Sequence, residues 1–126
     1  SSVHRVLKRP FEIPASKNAL CARTTTIDRI NPQHLDLIKL DLQGFELFAL
    51  IGAERTIRRC RPVIVLVWKT RKFEYYGVRE SDLKLFFERL DYSEMTLPLT
   101  QAELDGKLPL DRLFVPMEKL AGTEKP

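Results

Sequence analysis

The fold is decided by residues 24–68, which read TTTIDRINPQHLDLIKLDLQGFELFALIGAERTIRRCRPVIVLVW. Leu35 to Leu42 is an apolar run, which predicts an interior strand of a parallel sheet with helices on both faces. Phe45 to Arg59 repeats apolar residues at helical spacing and predicts one buried helix. Pro62 stops that helix, and Val63 to Trp68 is the most β-prone stretch. Together they predict a right-handed βαβ unit.

The flanking sequence predicts shorter elements. Before the βαβ unit, Thr26 is expected to cap a short helical turn. After it, residues 69–77 are expected to form a charged loop, followed by an amphipathic helix capped by Ser81. Tyr92 to Leu99 and Arg112 to Val115 then predict two strands that pair as an antiparallel hairpin with a wide loop. The fold class is α/β, with a central βαβ unit and a C-terminal antiparallel strand pair.

Composition excludes several classes of protein. With 126 residues, 44% of them hydrophobic and 30% charged, the chain is expected to form one soluble domain. The net charge of +4 is too dilute for a dedicated nucleic-acid binder, so a nucleic-acid partner is not expected. No apolar run approaches the roughly 20 residues that span a bilayer. Cys21 and Cys60 have no partners at metal-ligand spacing, which predicts no metal site and a reduced, cytoplasmic chain.

Several short blocks keep particular residues at particular spacings. They are Thr26-Ile27-Asp28, Asp36-Leu37-Ile38-Lys39-Leu40-Asp41, Gly44-Phe45-Glu46, Leu50-Ile51-Gly52-Ala53 and Arg61-Pro62, with Asp91-Tyr92 and Leu113-Phe114-Val115-Pro116 in the tail. The blocks resemble the FkbM-type methyltransferases. That pattern runs T-I/L-D-D-L, a spacer, D-L-I-K-I-D-V-E-G-x-E, a helix with V-L-x-G-A, R-P-x-I-x-x-E, and then G-Y and L-F-V-P.

The resemblance implies a class I, Rossmann-like methyltransferase fold, of which this chain carries a partial sheet. It also implies S-adenosylmethionine as the cofactor and a hydroxyl of a sugar or small metabolite as the methyl acceptor. On this basis residues 26–118 form the FkbM-like C-terminal region. Residues 1–25 are a variable segment that can supply a replacement edge strand, and residues 119–126 are a frayed tail.

By the same resemblance, the catalytic candidates are Asp41, Gln43 and Glu46, and the substrate-side candidates are Gly44 and Trp68. Asp41 comes near the carboxyl end of a strand, where open α/β sheets bind ligands. A carboxylate there can orient or deprotonate an acceptor hydroxyl, or hold a sulfonium. Each candidate also has a structural alternative: a turn cap for Asp41, a helix N-terminal carboxylate for Glu46, and core packing for Trp68.

The sequence departs from the family pattern at two acidic positions and at the glycine-rich turn that binds the cofactor. Gln43 and Val67 stand where the pattern has glutamates. The five glycines include no G-x-G, which the first βα turn of this fold needs for close approach to a cofactor. The sequence therefore predicts that the cofactor-binding half is missing. No cofactor-binding residue is assigned, and binding of S-adenosylmethionine by this chain alone is not expected.

Three functions follow as hypotheses. The first is the C-terminal region of an FkbM-like S-adenosylmethionine-dependent O-methyltransferase, which acts on a small-molecule acceptor and is inactive by itself. The second is a non-catalytic remnant that serves as an interaction or assembly module, and the third is a small basic protein associated with nucleic acid. Without a neighbouring strand, residues 37–42 would form an open sheet edge. The expected partner at that edge is a second copy of the chain or the missing N-terminal half.

Overall fold

The computed structural model describes residues 20–95, 100–106 and 110–123. Along these residues the elements are α1 (Ile27–Ile30), β1 (Leu37–Leu40), α2 (Glu46–Ile51), α3 (Glu54–Cys60), β2 (Val63–Trp68), α4 (Thr70–Tyr75), α5 (Glu80–Arg89), β3 (Tyr92–Met95), α6 (Gln101–Leu104), β4 (Leu110–Pro116) and α7 (Met117–Thr123). The expectation that residues 1–25 supply a replacement edge strand falls mainly on residues 1–19, which lie outside the described residues.

The four strands form one mixed sheet in the order β1-β2-β4-β3. β1 and β2 run parallel, with Leu37 opposite Val63, and the helices α2 and α3 connect them. β4 runs antiparallel to both of its neighbours, β2 and β3. The α/β class, the βαβ unit and the antiparallel C-terminal pair are therefore confirmed. The sequence did not indicate that β4 inserts between β2 and β3.

The single helix expected over Phe45 to Arg59 is divided into α2 and α3 at Gly52. The carbonyl of Gly52 accepts a hydrogen bond from the backbone N–H of Asp28 at 2.9 Å. The carboxylate of Asp28 in turn accepts from the backbone N–H groups of Arg55 (3.2 Å) and Thr56 (2.8 Å), so it caps the start of α3. Burial raises the pKa of Asp28, but the N–H donors of Thr56 and Arg55 outweigh it and leave the pKa lowered.

The turn before the βαβ unit forms as expected, because the Thr26 side chain accepts from the backbone N–H of Arg29 at 3.1 Å. Two other local predictions are wrong. The expected charged loop contains α4, because Phe73 is fully buried and fixes one side of this segment. Ser81 lies inside α5, and Arg79 occupies the cap position, where its backbone N–H donates to Asp82.

The main core cluster lies on one face of the sheet, which we call the first face, and Val67 of β2 and Val115 of β4 are buried on the other face. On the first face, Ile38 and Leu40 of β1, Ile64 and Leu66 of β2, and Phe114 of β4 pack against the buried residues of α2, α3 and α5. The prediction that the first strand has helices on both faces is wrong for the described residues. Ile38 is 7% exposed but its neighbour Leu37 is 57% exposed. β1 also lies at an edge of the sheet, and only Leu37–Leu40 of the predicted strand are extended.

Candidate functional site

The carboxyl ends of the parallel strands β1 and β2 bring three polar side chains together, and we call Asp41, Gln43 and Lys69 the polar cluster. The amide nitrogen of Gln43 donates to Asp41 Oδ1 at 2.9 Å, and Lys69 Nζ donates to Gln43 Oε1 at 3.1 Å. Lys69 Nζ also lies 3.9 Å from Asp41 Oδ1. Ligands of open α/β sheets bind at this end of the strands, so the cluster is the candidate functional site.

The polar cluster is open to solvent and joins two strands. The Asp41 side chain is 51% exposed and that of Lys69 is 29% exposed. Asp41 and Gln43 follow β1, whereas Lys69 follows β2 directly. The carboxylate, the amide and the ammonium group are accessible and contact one another. Together they can bind a hydroxyl group, because the carboxylate accepts a hydrogen bond from it and the ammonium group donates one to it.

Glu46 lies beneath the cluster and is 1% exposed. Its carboxylate accepts from the backbone N–H groups of Leu42 at 2.7 Å and Gly44 at 2.8 Å. Between these two residues Gln43 has a left-handed backbone, with φ of 54°. Because both carboxylate oxygens of Glu46 bind the turn, its contacts are those of a residue that positions Gln43. A catalytic role for Glu46 stays a prediction.

Gly44 allows the same turn to pack tightly against α4. Its φ is +106°, and a Cβ placed on it would lie 2.1 Å from the carbonyl oxygen of Lys72. Any larger residue would have to displace the α4 backbone. This packing explains the glycine without a ligand, and its place on the substrate side stays a prediction.

Trp68 ends β2 and is almost completely buried. Its indole ring lies 5.2 Å from the Phe73 ring, and the Arg112 guanidinium lies 4.1 Å above the indole centroid. The indole N–H donates to Glu80 Oε1 at 2.7 Å, and the Thr70 hydroxyl donates to the same oxygen at 2.7 Å. The bond from Trp68, followed by that from Thr70, lowers the pKa of Glu80. These contacts match the core-packing alternative for Trp68.

The sequence placed Lys69 only within the charged loop expected at residues 69–77 and did not assign it to the site. One signal could have found it. The residue that follows a parallel strand lies beside the residue that follows the neighbouring strand, and Lys69 follows β2 as Asp41 follows β1. Glu80 had no such signal, since its partner Trp68 is brought to it by the packing of α4 and α5.

The turn from β1 into α2 does not fit S-adenosylmethionine. This turn connects a strand to a helix and contains Gly44. Its N–H groups at Leu42 and Gly44 are bound by Glu46, and Gly44 is closed off by the carbonyl of Lys72. No backbone cradle is left at this turn for a cofactor.

Across residues 20–95, 100–106 and 110–123, no three His, Cys, Asp or Glu side chains gather in a way that could hold a metal ion. Within the same part of the chain, no helix has both the length and the apolar character needed to cross a membrane.

The chain is an α/β protein whose four-stranded mixed sheet, with β1 and β2 parallel, is consistent with a partial Rossmann-like methyltransferase fold. The family model "Methyltransferase FkbM domain" matches residues 17–94, more than half of the 126 residues. The chain belongs to the FkbM methyltransferase family. Comparisons with curated proteins and with solved structures give no match.

Proposed function

We propose that the chain is the acceptor-binding, C-terminal region of an FkbM-type O-methyltransferase that uses S-adenosylmethionine, and that it is inactive by itself. The observation that supports this most directly is the polar cluster. Asp41, Gln43 and Lys69 lie in mutual contact at the end of the sheet where ligands bind, and a methyl acceptor would have to reach that place.

Each member of the cluster has a separate part in the proposal. Asp41 accepts the proton of an acceptor hydroxyl, because its carboxylate is accessible. Gln43 donates to Asp41 and orients its carboxylate, and Lys69 holds the oxygen that becomes negative. A small hydroxylated molecule, such as a sugar, fits one negative and one positive group better than a highly charged acceptor does.

In this proposal the cofactor is held by residues other than the described ones, and the lack of a backbone cradle at the turn after β1 supports this. In the described part of the chain, β1 pairs on one side only, with β2. Its other edge is where an N-terminal half or a second copy would add a strand. A reduced, cytoplasmic setting belongs to the same proposal, and the free thiols of Cys21 and Cys60 are compatible with it.

The test is a titration of the isotope-labelled chain with a panel of small hydroxylated molecules, followed by backbone NMR shifts. At least one acceptor should shift the signals of Gln43 and Lys69, and Asp41→Asn should weaken that binding. Glu54→Gln is the matched control, since Glu54 lies on α3 and pairs with Arg58. A panel that leaves the cluster unshifted would contradict the proposal.

A calorimetric titration with S-adenosylmethionine tests the second part of the proposal. The chain alone should give no heat of binding. Clear binding at micromolar concentration would show that the chain carries its own cofactor site, and the requirement for a complementary part would then be wrong.

A further inference from the structure

A row of aromatic side chains lies beside the turn that carries the polar cluster. It consists of Phe48, Phe45, Tyr76 and Tyr75, and we call these four residues the aromatic platform. The centroid of the Phe45 ring lies 4.8 Å from that of Phe48 and 5.4 Å from that of Tyr76. The centroid of the Tyr76 ring lies 5.1 Å from that of Tyr75. Each ring therefore contacts the next, and the platform is continuous.

The aromatic platform runs from the core into solvent. Phe48 is 7% exposed, Phe45 and Tyr76 are half-buried, and Tyr75 is 81% exposed. A single exposed aromatic side chain is ordinary on a protein surface, but this one contacts a row of packed rings that restricts its position. Tyr75 therefore presents a flat apolar surface to solvent at a defined place.

Two connections hold the aromatic platform close to the polar cluster. Phe45 follows Gln43 by two residues, which separates their backbones by at most about 7 Å. The helix α4 begins directly after Lys69 and ends at Tyr75, and a helix of this length rises roughly 9 Å. The same helix packs against the turn at Gly44. The distance from the cluster to the exposed end of the platform is therefore one that a disaccharide can span.

An exposed aromatic ring next to hydrogen-bonding groups fits a sugar. A pyranose ring carries C–H bonds on its flat faces and hydroxyl groups around its rim. A flat face can stack on the electron-rich face of a tyrosine ring, and a rim hydroxyl can bind a carboxylate and an ammonium group. We propose that Tyr75 is a specificity-determining residue, on which one ring of a disaccharide or longer glycoside stacks while a hydroxyl of the neighbouring ring lies between Asp41 and Lys69. This inference rests on the proposed acceptor site and defines the kind of acceptor that the site takes.

The charges around the aromatic platform favour a neutral sugar over nucleic acid, whose bases also stack on aromatic rings. Arg71 and Lys72 are exposed on α4, but the acidic Glu74 is exposed on the same helix. In the polar cluster, Lys69 Nζ lies 3.9 Å from the carboxylate of Asp41. Proteins that bind single strands combine stacking with a groove in which basic groups dominate. The mixture of charges at this surface is that of a site for an uncharged, hydroxylated ligand.

The test is an NMR titration of the full isotope-labelled chain with cellobiose, maltose and lactose, which contain two sugar rings, and with sorbitol, which has hydroxyl groups but no ring. At least one disaccharide should shift the signals of Gln43 and Lys69 together with the ring signals of Tyr75. Sorbitol should shift Gln43 and Lys69 alone. Tyr75→Ala should weaken binding of the disaccharide roughly 3- to 10-fold, and Tyr75→Phe, which keeps the ring, should restore it.

Leu85→Ala is the matched control, since Leu85 is a large exposed side chain on another helix, α5. Because Tyr75 and Leu85 are both exposed, the two alanine variants should unfold at the same urea concentration as the wild type. The control should also bind the disaccharide as the wild type does.

The outcomes separate this inference from the proposed function. Shifts at Gln43 and Lys69 with a disaccharide affinity unchanged by Tyr75→Ala would overturn the inference and leave the acceptor site standing. No shift with any of the three disaccharides or with sorbitol would overturn both. A short oligothymidylate that shifts the Tyr75 ring signals, with binding that weakens steeply as salt is added, would show that the platform binds nucleic acid and would overturn the inference as well.

Discussion

Glu46 and Gly44 are joined by a hydrogen bond of 2.8 Å, from the backbone N–H of the glycine to Oε1 of the buried carboxylate. This bond stabilises the turn that contains Gln43. A second hydrogen bond runs from the backbone N–H of Leu42 to Oε2 of the same carboxylate. The polar cluster therefore depends on a residue that does not belong to it. Removing an acceptor from this turn should affect stability before it affects chemistry.

Glu46→Gln should lower the free energy of unfolding by about 1–3 kcal/mol, because the new amide turns an N–H group toward a backbone N–H and leaves a buried donor unpaired. Urea unfolding measures the change. Glu54→Gln is the control, since its pair with Arg58 on the surface of α3 should contribute only about 0.5 kcal/mol or less. Equal effects for the two variants would mean that Glu46 does not hold the turn.

Gly44→Ala should be far more harmful than Gly106→Ala. Both glycines have positive φ, of +106° and +70°, but only a Cβ at Gly44 would meet the Lys72 carbonyl. The clash and the backbone strain together should cost about 3 kcal/mol or more at Gly44, against about 1–2 kcal/mol at Gly106, where no atom lies within 4 Å. Thermal and urea unfolding compare the two. A mild effect at Gly44 would show that α4 can move away from the turn.

The sequence predicted the elements whose physics is local. β2 is a continuous β-prone run that follows Pro62, the residue that ends the preceding helix. Its parallel pairing with β1 follows from the short helical connection between the two strands. The division of α2 from α3 was missed because it depends on Asp28, which is distant in sequence and reaches the Gly52 carbonyl and the start of α3 only in the folded chain.

The candidate site was predicted in part for the same reason. Asp41 and Gln43 follow a strand, and their position at the ligand-binding end of the sheet can be predicted from the sequence. Lys69 joins them only through the pairing of β1 with β2. The contact of Trp68 with Glu80 depends on the packing of α4 and α5, which no local pattern encodes.

Acid should weaken the contact between Glu80 and Trp68. The hydrogen bond from Trp68, with that from Thr70, lowers the pKa of Glu80 below its ordinary value of 4.5. The stabilisation is therefore fully present above about pH 4.5 and is lost as the pH falls through the lowered pKa of the folded state. Trp68 is the single tryptophan, so its fluorescence follows the change.

Glu80→Gln should flatten the dependence of unfolding on pH in that window, and Glu74→Gln, at an exposed position on α4, should not. Asp28 and Glu118 also have lowered pKa values. The Glu80→Gln variant should therefore keep part of the pH dependence of the wild type. An unchanged slope after Glu80→Gln would show that the carboxylate contributes nothing to stability through Trp68.

Gln43→Gly should weaken acceptor binding by the polar cluster without lowering the stability of the fold. Gln43 has a left-handed backbone, with φ of 54°, which costs about 1–2 kcal/mol for a residue with a side chain. Glycine relieves this strain, but ordering its more flexible backbone on folding costs about 0.5–1 kcal/mol. The free energy of unfolding should stay level or rise by up to about 1 kcal/mol. Binding of an acceptor should weaken, because the contacts of the amide with Asp41 and Lys69 are lost.

Arg61→Gly is the matched control for backbone conformation, since Arg61 has φ of 52°. Its guanidinium donates to the Leu90 carbonyl at 2.6 Å and to Glu118 at 3.0 Å, so glycine there should lower the free energy of unfolding by about 2 kcal/mol. Urea unfolding and the acceptor titration are run on both variants. If Gln43→Gly lowers stability as much as Arg61→Gly does, the amide is part of the structural framework and the acceptor site has to lie elsewhere.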